Sequence, residues 1–399
     1  MGVRYKFDRR ELAGSLGDLG TLLPLAIGMI MINGLNSSGL FLSIGLFYVF
    51  SGCYYGITVP VQPMKVIGAY AIATAISATQ IAASGLLVGL FLLVIGGTGL
   101  ITVIGRYVPK PVVRGVQMST GTLLMIHGIQ LMTGTSKYQL MRGAAEPYLY
   151  LQGLGAIPIG IVIGIVGGIV TLLFLDNKKL PAGLLIVLSG LALGLVLGTH
   201  EGFEKFRIGV FLPEILPFGF PSAADFGFAL IVLVLPQLPM TLGNAVIANA
   251  DLSREYFARD SQKVTYRALC LSMGLANFLC FFMGGMPLCH GAGGLAAHYR
   301  FGARTAGSNL IIGLIFILLA VFFGPHTLAI VNLIPLSVLG VLLIFAGTQL
   351  ALTIIDVRER KELFVVLVML GVTLASNLAV GFGTGIALAY VLRSGKLKI

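Results

Sequence analysis

ITVPVQPMKVIGAYA, residues 57–71, is the stretch on which the reading of this chain turns. Pro60 and Pro63 stand three residues apart. Each lacks a backbone donor and disfavours helix in the residue before it. The backbone up to Met64 is therefore expected to be extended, with a helix beginning at about Met64. A second stretch, GGMPLCHGAGG (284–294), behaves alike. Gly284 and Gly285 loosen the chain, Pro287 blocks an incoming helix, and a helix is expected from His290 or Gly291. Both breaks sit within long apolar surroundings. Extended backbone at membrane depth is tolerated only where protein buries it or where it lines a cavity.

Outward from these breaks the whole chain reads as membrane-embedded. Of 399 residues, 57% are hydrophobic and 10% charged, against roughly 25% charged in a soluble domain. The expected fold class is an all-α polytopic membrane protein with fourteen transmembrane segments. They lie at about 12–33, 38–57, 58–78, 81–105, 111–132, 154–175, 181–199, 222–249, 265–284, 285–300, 308–324, 327–350, 362–377 and 379–394. A count of twelve holds if the two broken segments are re-entrant. The 54 glycines suit helices packed closely in lipid.

The net charge of +11 is carried by short loops between apolar runs, a topology signal rather than a nucleic-acid surface. With the N-terminus inside, the inner loops collect Arg4, Lys6, Arg9, Arg10, Arg106, Lys110, Arg114, Lys178, Lys179, Arg254, Arg259, Lys263, Arg267, Arg300, Arg304, Arg358, Arg360, Lys361, Arg393, Lys396 and Lys398. The outer side holds Lys137, Arg142, Lys205 and Arg207, and Lys65 stays within the membrane. Both termini are expected on the cytoplasmic face of a cell's inner membrane, and no cleavable signal is visible. Cys53, Cys270, Cys280 and Cys289 read as small buried hydrophobes without zinc or redox spacing. No phosphate loop, dinucleotide fingerprint or nucleophile–base ordering is visible, so neither a cofactor nor an enzyme is expected.

The chain repeats itself. GTLLMIHGIQLM (121–132) matches GVLLIFAGTQLA (340–351) at Gly121/Gly340, Leu123/Leu342, Leu124/Leu343, Gly128/Gly347, Gln130/Gln349 and Leu131/Leu350. VPVQPMKVIGAYA (59–71) lines up with MGGMPLCHGAGGLAA (283–297), setting Pro63 against Pro287. Residues 1–200 and 201–399 then form two halves of seven spans with opposite topology. Inverted repeats broken at corresponding positions mark the binding site of a secondary transporter.

Each new helix begins with unpaired N–H groups and about half a positive charge. If the two starts face one another, they and the Lys65 ammonium give about +2, which suits an oxyanion dianion. Substrate contacts are expected at Lys65–Val66 and at His290, Gly291, Ala292 and Gly293, where glycine leaves the backbone approachable. An ionised lysine at this depth costs at least ~2.5–3.5 kcal/mol, so Lys65 faces a cavity, pairs with a carboxylate, or snorkels. Asp18, in GSLGDLGTLLPL (14–25), is the obvious partner. It reads either as a structural acceptor at a glycine-rich break or as a counter-charge and proton-coupling group. Gln62, and Gln237 and Asn244 in LIVLVLPQLPMTLGNAVI (230–247), offer either donors to an oxyanion or interhelical hydrogen bonds. His290 either lines the site, where it too could couple protons, or bonds structurally; His127 reads as a satisfied interior histidine. A metal site at Cys289–His290 is not expected, since adjacent side chains chelate poorly.

PVQPMKVIGAYAIA (60–73), MPLCHGAGGLAAHYRFGAR (286–304) and GSLGDLGTLLP (14–24) resemble the signatures of the molybdate transporter family. That family is related to the SulP sulfate permeases and lacks their STAS domain; this chain likewise ends just after its last span. The resemblance implies the seven-plus-seven UraA/SulP-like fold. It implies a core domain of spans 1–4 and 8–11 moving against a gate domain of spans 5–7 and 12–14, in an elevator-like cycle. It further implies a homodimer in the lipid bilayer and molybdate as the imported substrate. Sulfate or tungstate transport on the same fold, and a passive anion channel, are the alternatives.

Overall fold

Prolines without donors force the two breaks open, and the chain meets the resulting demand for hydrogen bonds by pairing the breaks with each other. In the computed structural model, which describes residues 5–100, 109–175, 177 and 181–393, strand β1 (Gln62–Pro63) pairs antiparallel with β2 (Leu288–Cys289). Gln62 stands opposite Cys289 and Pro63 opposite Leu288. The Met64 N–H donates to the Pro287 carbonyl at 2.9 Å. Two buried asparagines complete the job. Asn309 accepts from the Val59 N–H and donates to its carbonyl (3.2 and 2.7 Å), and Asn277 does the same for Leu288 (3.0 and 2.9 Å). A carboxamide carries one acceptor and a donor side by side, so it substitutes for a missing neighbouring strand.

Helix resumes immediately after each strand. Here α1 is Arg9–Ser15, α2 Leu19–Met31, α3 Ser37–Tyr55, α4 Lys65–Thr74, α5 Ala78–Thr98 and α6 Lys110–Thr133. Next come α7 (Ile159–Phe174), α8 (Ala182–Leu197), the long helix α9 (Ala223–Ser261) and α10 (Tyr266–Met283). The last are α11 (Ala292–Phe301), α12 (Gly307–Phe323), α13 (Leu336–Ala351), α14 (Arg360–Ala375) and α15 (Leu378–Arg393). Among the described residues six helices are long and apolar enough to cross a membrane, or seven if the bent pair α1–α2 counts as one span. Helices α4, α7, α8 and α15 are apolar but shorter.

Two expected spans are interrupted. The first bends by 43° between Ser15 and Leu19, leaving Asp18 at the break. The span expected over 327–350 divides into Thr327–Asn332 and α13, because Pro335 cannot continue an incoming helix but fits just before a new one. Helix α9 accommodates Pro236 and Pro239 by winding Ala229–Val234 and Thr241–Ala248 in the wider π form. Of the cysteines, Cys270, Cys280 and Cys289 are buried as expected, but Cys53 is exposed on α3. His127 is buried in the interior as expected, with no partner for its Nε2 among the described residues. Arg4, Arg106, Lys178, Lys179, Lys396 and Lys398, and the ends of the spans expected over 81–105 and 379–394, lie outside the described residues.

Backbone crossings fix the helix packing. A Cβ on Gly121 of α6 would lie 2.5 Å from the Gly347 carbonyl of α13, and one on Gly347 would lie 2.5 Å from the Gly121 carbonyl. Gly128 and Gly340 oppose each other in the same reciprocal way, at 2.6 and 2.5 Å. Only residues without a side chain permit helices this close. Fully buried Leu22, Tyr48, Tyr55, Met64 and Ile67 fill the space around the strand crossing.

Candidate functional site

The strand crossing aims the starts of α4 and α11 at a cavity of about 560 Å³. Asp18, Thr21, Lys65, Asn244, Gly293 and Ala297 line it. Gln117 and Leu124 of α6, Thr171 of α7, and Phe345 and Gln349 of α13 line it as well. The lining continues along α11 to Arg300 and Phe301, about 12 Å below Gly293 at 1.5 Å per residue.

Lys65 is the first residue of α4 and is partly buried. Among the described residues no carboxylate lies within 4.0 Å of its ammonium, and none accepts a hydrogen bond from it. Of the alternatives left open for Lys65 and Asp18, a direct ion pair between them is not found among the described residues. A methyl group on Gly293 would sit 3.9 Å from Lys65 Nζ, so the missing side chain there leaves open space between the ammonium and the start of α11. Asn244 reaches the same cavity and has no hydrogen-bond partner among the described residues.

Asp18 has a different partner. The Gln62 Nε2 donates to both of its carboxylate oxygens, at 2.8 and 2.7 Å. Gln62 Oε1 is buried without a partner. The pair lies directly against the start of α11. A Cβ on Gly294 would stand 2.6 Å from Asp18 Oδ2, and one on Gly291 would collide with Gln62 Oε1. These two glycines make room for protein side chains, and Gly293 is the one that opens on the cavity. A carboxylate beside a helix N-terminus is held favourably by the exposed N–H groups and the dipole.

The two helix starts are not equivalent. At α4 the Val66 and Ile67 N–H groups donate to Gln237 Oε1, at 3.0 and 3.2 Å, and Gln237 Nε2 donates to Thr241 Oγ1 at 2.9 Å. Gln237 and Val66 are thus occupied with each other and stand behind the cavity wall. At α11 no acceptor among the described residues takes the Ala292 and Gly293 N–H groups. His290 is also behind the wall. Its ring bonds the Pro60 carbonyl (Nδ1, 2.8 Å) and Ser272 Oγ (Nε2, 3.1 Å) and packs on Phe47. Of the two readings of His290, the structural one describes its surroundings. Among the described residues no cluster of His, Cys, Asp or Glu has the form of a metal site.

Sequence reasoning passed over Thr21, Gln117, Thr171, Gln349 and Thr353, all on the cavity wall. For Gln117 and Gln349 the available signal was an isolated carboxamide in an apolar span. Gln349 even falls within the internal repeat, where it serves only as a match.

A family model described as "Molybdate transporter of MFS superfamily" matches residues 10–124 and 229–350, which hold Asp18, Gln62, Lys65, Gln237, Asn244 and Gly293. Molybdate transporter 2 of Arabidopsis thaliana is 30% identical over 419 residues, covering 96% of this chain and 87% of its own length. Among solved structures, the murine Solute Carrier 26 family member A9 anion transporter superposes with a TM-score of 0.69 at 14% identity, over 99% of this chain and 70% of that one. The transmembrane domain of a cyanobacterial bicarbonate transporter, BicA, gives 0.65 at 16% identity, over 96% and 100%. The chain therefore has the fold of these multi-pass membrane proteins.

Proposed function

The chain belongs to the molybdate transporter family, and from that premise we propose that it imports molybdate across the cytoplasmic membrane as a secondary active transporter. One observation carries the proposal: the Lys65 ammonium stands on the cavity wall with no carboxylate of the described residues in ion-pair reach, next to the uncapped start of α11. An unpaired cation at membrane depth is costly, and an anionic substrate is its natural counter-charge. The dianion would sit between Lys65 and Gly293, accepting from the Ala292 and Gly293 N–H groups, with Asn244 as a neutral donor. Gln237 would hold α4 in place and His290 would hold the strand crossing. Gln62 would hold Asp18.

Asp18 is the coupling candidate. With its carboxyl ionised, the charge of Lys65, Asp18 and the two helix starts together is about +1 when each start counts as half a charge; a proton raises it to about +2. A proton on Asp18 therefore favours the dianion, which is what proton-coupled uptake requires.

The alternating-access mechanism would be elevator-like, with residues of the core domain carrying the substrate past α6, α7 and α13 of the gate. A fourteen-segment inverted repeat is supported by the glycine crossings. The sequence repeat equates Gly121 with Gly340 and Gly128 with Gly347. A two-fold axis relating the halves turns a Gly121–Gly347 contact into a Gly340–Gly128 contact, and both are present. Termini in the cytoplasm and a homodimer formed through the gate complete the reading.

The test is a titration of the purified protein with molybdate, tungstate and sulfate. Saturable molybdate binding that sulfate in excess fails to displace is expected. A folded protein that binds none of the three ends the proposal, and preferred binding of sulfate would reassign the substrate. Flux that does not saturate with molybdate concentration would favour a channel.

A further inference from the structure

Gln117 projects from α6 into the gate-side wall of the cavity, and its surroundings dictate which end of its carboxamide faces inward. Arg114 Nη1 donates to one end of that amide at 2.7 Å. A guanidinium has donors and no acceptor, so the atom facing Arg114 is the amide oxygen. The Thr353 hydroxyl lies 3.0 Å from the same oxygen and 2.8 Å from the Leu350 carbonyl. Arg114 is itself fixed by a two-pronged contact with Asp356, Nε to Oδ1 at 2.9 Å and Nη2 to Oδ2 at 2.6 Å. Lys110 holds the Asp356 carbonyl at 2.8 Å.

With the oxygen engaged, the Gln117 NH2 group remains. The residue is 4% exposed, and among the described residues no acceptor is in reach of its nitrogen. The small exposed part faces the cavity. The side chain of Gln349, on α13 and lining the same cavity, also makes no hydrogen bond among the described residues. A dianionic oxyanion is acceptor-only, so the orientation matters: the same amide turned round would present oxygen to oxygen. Gln117 and Gln349 line the same cavity as Lys65, Gly293 and Arg300.

We infer that the gate contributes its own contact to the oxyanion, with Gln117 Nε2 as donor and Asp356, through Arg114, as the positioning residue that keeps the donor inward. This rests on the reading of the cavity as the oxyanion site, and it adds that the substrate touches both the moving and the stationary side. A contact made on the gate is available only while the cavity is in this arrangement, so it stabilises the loaded state of this conformation and not the carrier in general.

The experiment measures the molybdate Kd by calorimetry on the purified full chain, and KM in proteoliposomes, for Gln117→Leu, Gln117→Glu, Asp356→Asn, Lys65→Ala and the double variant Gln117→Leu/Asp356→Asn. Gln117→Leu is expected to raise Kd about three- to tenfold, the span of one hydrogen bond to a charged partner. Gln117→Glu keeps the Arg114 contact but turns the inward end into an acceptor, so it should lose more. Asp356→Asn should weaken binding in the native background and have no further effect in the Gln117→Leu background; a merely structural role for Asp356 would add its full effect in both. Unchanged Kd and KM in both Gln117 variants, with Lys65→Ala inactive for binding, overturns the gate contact and leaves the central site standing. Normal binding by Lys65→Ala together with weakened binding by Gln117→Leu shows the reverse: the gate contact stands and the Lys65 site falls. Should Gln117→Leu not yield folded protein, Gln117→Glu, which keeps size and the Arg114 bond, decides the same question.

Discussion

The amide oxygen of Gln237 lies 3.0 Å from the backbone nitrogen of Val66 and fills the place that the sequence reserves for a substrate oxygen. The start of α4 is thereby satisfied from within, by a side chain of the other half of the chain. Replacing Gln237 by alanine strips the cap from two buried N–H groups. The expected loss is about 1–2 kcal/mol of stability, typical of a removed helix cap. Thermal melting of the purified protein measures it, and a melting temperature equal to wild type would remove the capping role. Gln237→Glu retains an acceptor at the same place but adds a negative charge near the cavity. It should melt near wild type and bind oxyanions more weakly.

Lys65→Ala removes from the cavity wall a cation that has no carboxylate of the described residues in ion-pair reach. A unit charge about 4 Å from a dianion is worth several kcal/mol even at an effective dielectric of about 20. A loss of binding of at least about tenfold is therefore a conservative expectation. Lys65→Arg keeps the charge on a larger, planar head and should retain part of the affinity. Titration calorimetry on folded protein separates the three cases. Near-native affinity in Lys65→Ala would take this residue out of the site.

The breaks, the strand-then-helix grammar and the convergence of Asp18, Gln62, Lys65, Asn244 and Gly293 were legible because they follow from proline chemistry and from the cost of charge in lipid. Pairing partners were not. Nothing in the spacing of Gln237 says that its oxygen caps a helix 171 residues away. His290 reads as a wall residue because it heads a half-helix, yet its ring turns back to Pro60 and Ser272. The direction of a side chain at an extended-to-helix junction depends on how the two halves cross, which periodicity does not encode. The carboxamides of α6 and α13 escaped for a related reason. An isolated glutamine in an apolar span looks the same whether it bonds a neighbouring helix or faces a cavity. The span over 327–350 was misjudged at Pro335, where a local break falls inside an apolar run, whereas the glycine-rich break at Asp18 was visible in the sequence.

Gly291 and Gly293 stand two residues apart and should respond to the same substitution in different ways. A methyl group on Gly291 collides with the Gln62 carboxamide and must displace it from Asp18. A methyl group on Gly293 meets Lys65 Nζ at 3.9 Å, an ordinary contact. Gly291→Ala is thus expected to disturb the Asp18–Gln62 pair and to cut uptake sharply. Gly293→Ala should fold normally and lose affinity modestly, by crowding the space for the anion. Parallel uptake assays with melting curves test the contrast; equal behaviour of the two variants would mean that the Gln62 carboxamide moves aside without consequence.

Asp18→Asn tests coupling apart from binding. The neutral side chain imitates the protonated carboxyl in charge, so the site keeps its stronger attraction for a dianion at every pH. Gln62 can serve either form. Its nitrogen donates to both oxygens of the ionised carboxylate, and rotating its amide would offer the partnerless Oε1 to a protonated carboxyl or to the amide nitrogen that the substitution introduces. In wild type, protonation adds positive charge to the site, so molybdate affinity should rise as pH falls. In Asp18→Asn that dependence should flatten while binding persists. Proteoliposomes with an inward proton gradient give the second readout. Wild type should accumulate molybdate against its concentration gradient, and Asp18→Asn should only equilibrate it. Accumulation by Asp18→Asn at the wild-type level would show that the proton, if one is used, is carried elsewhere.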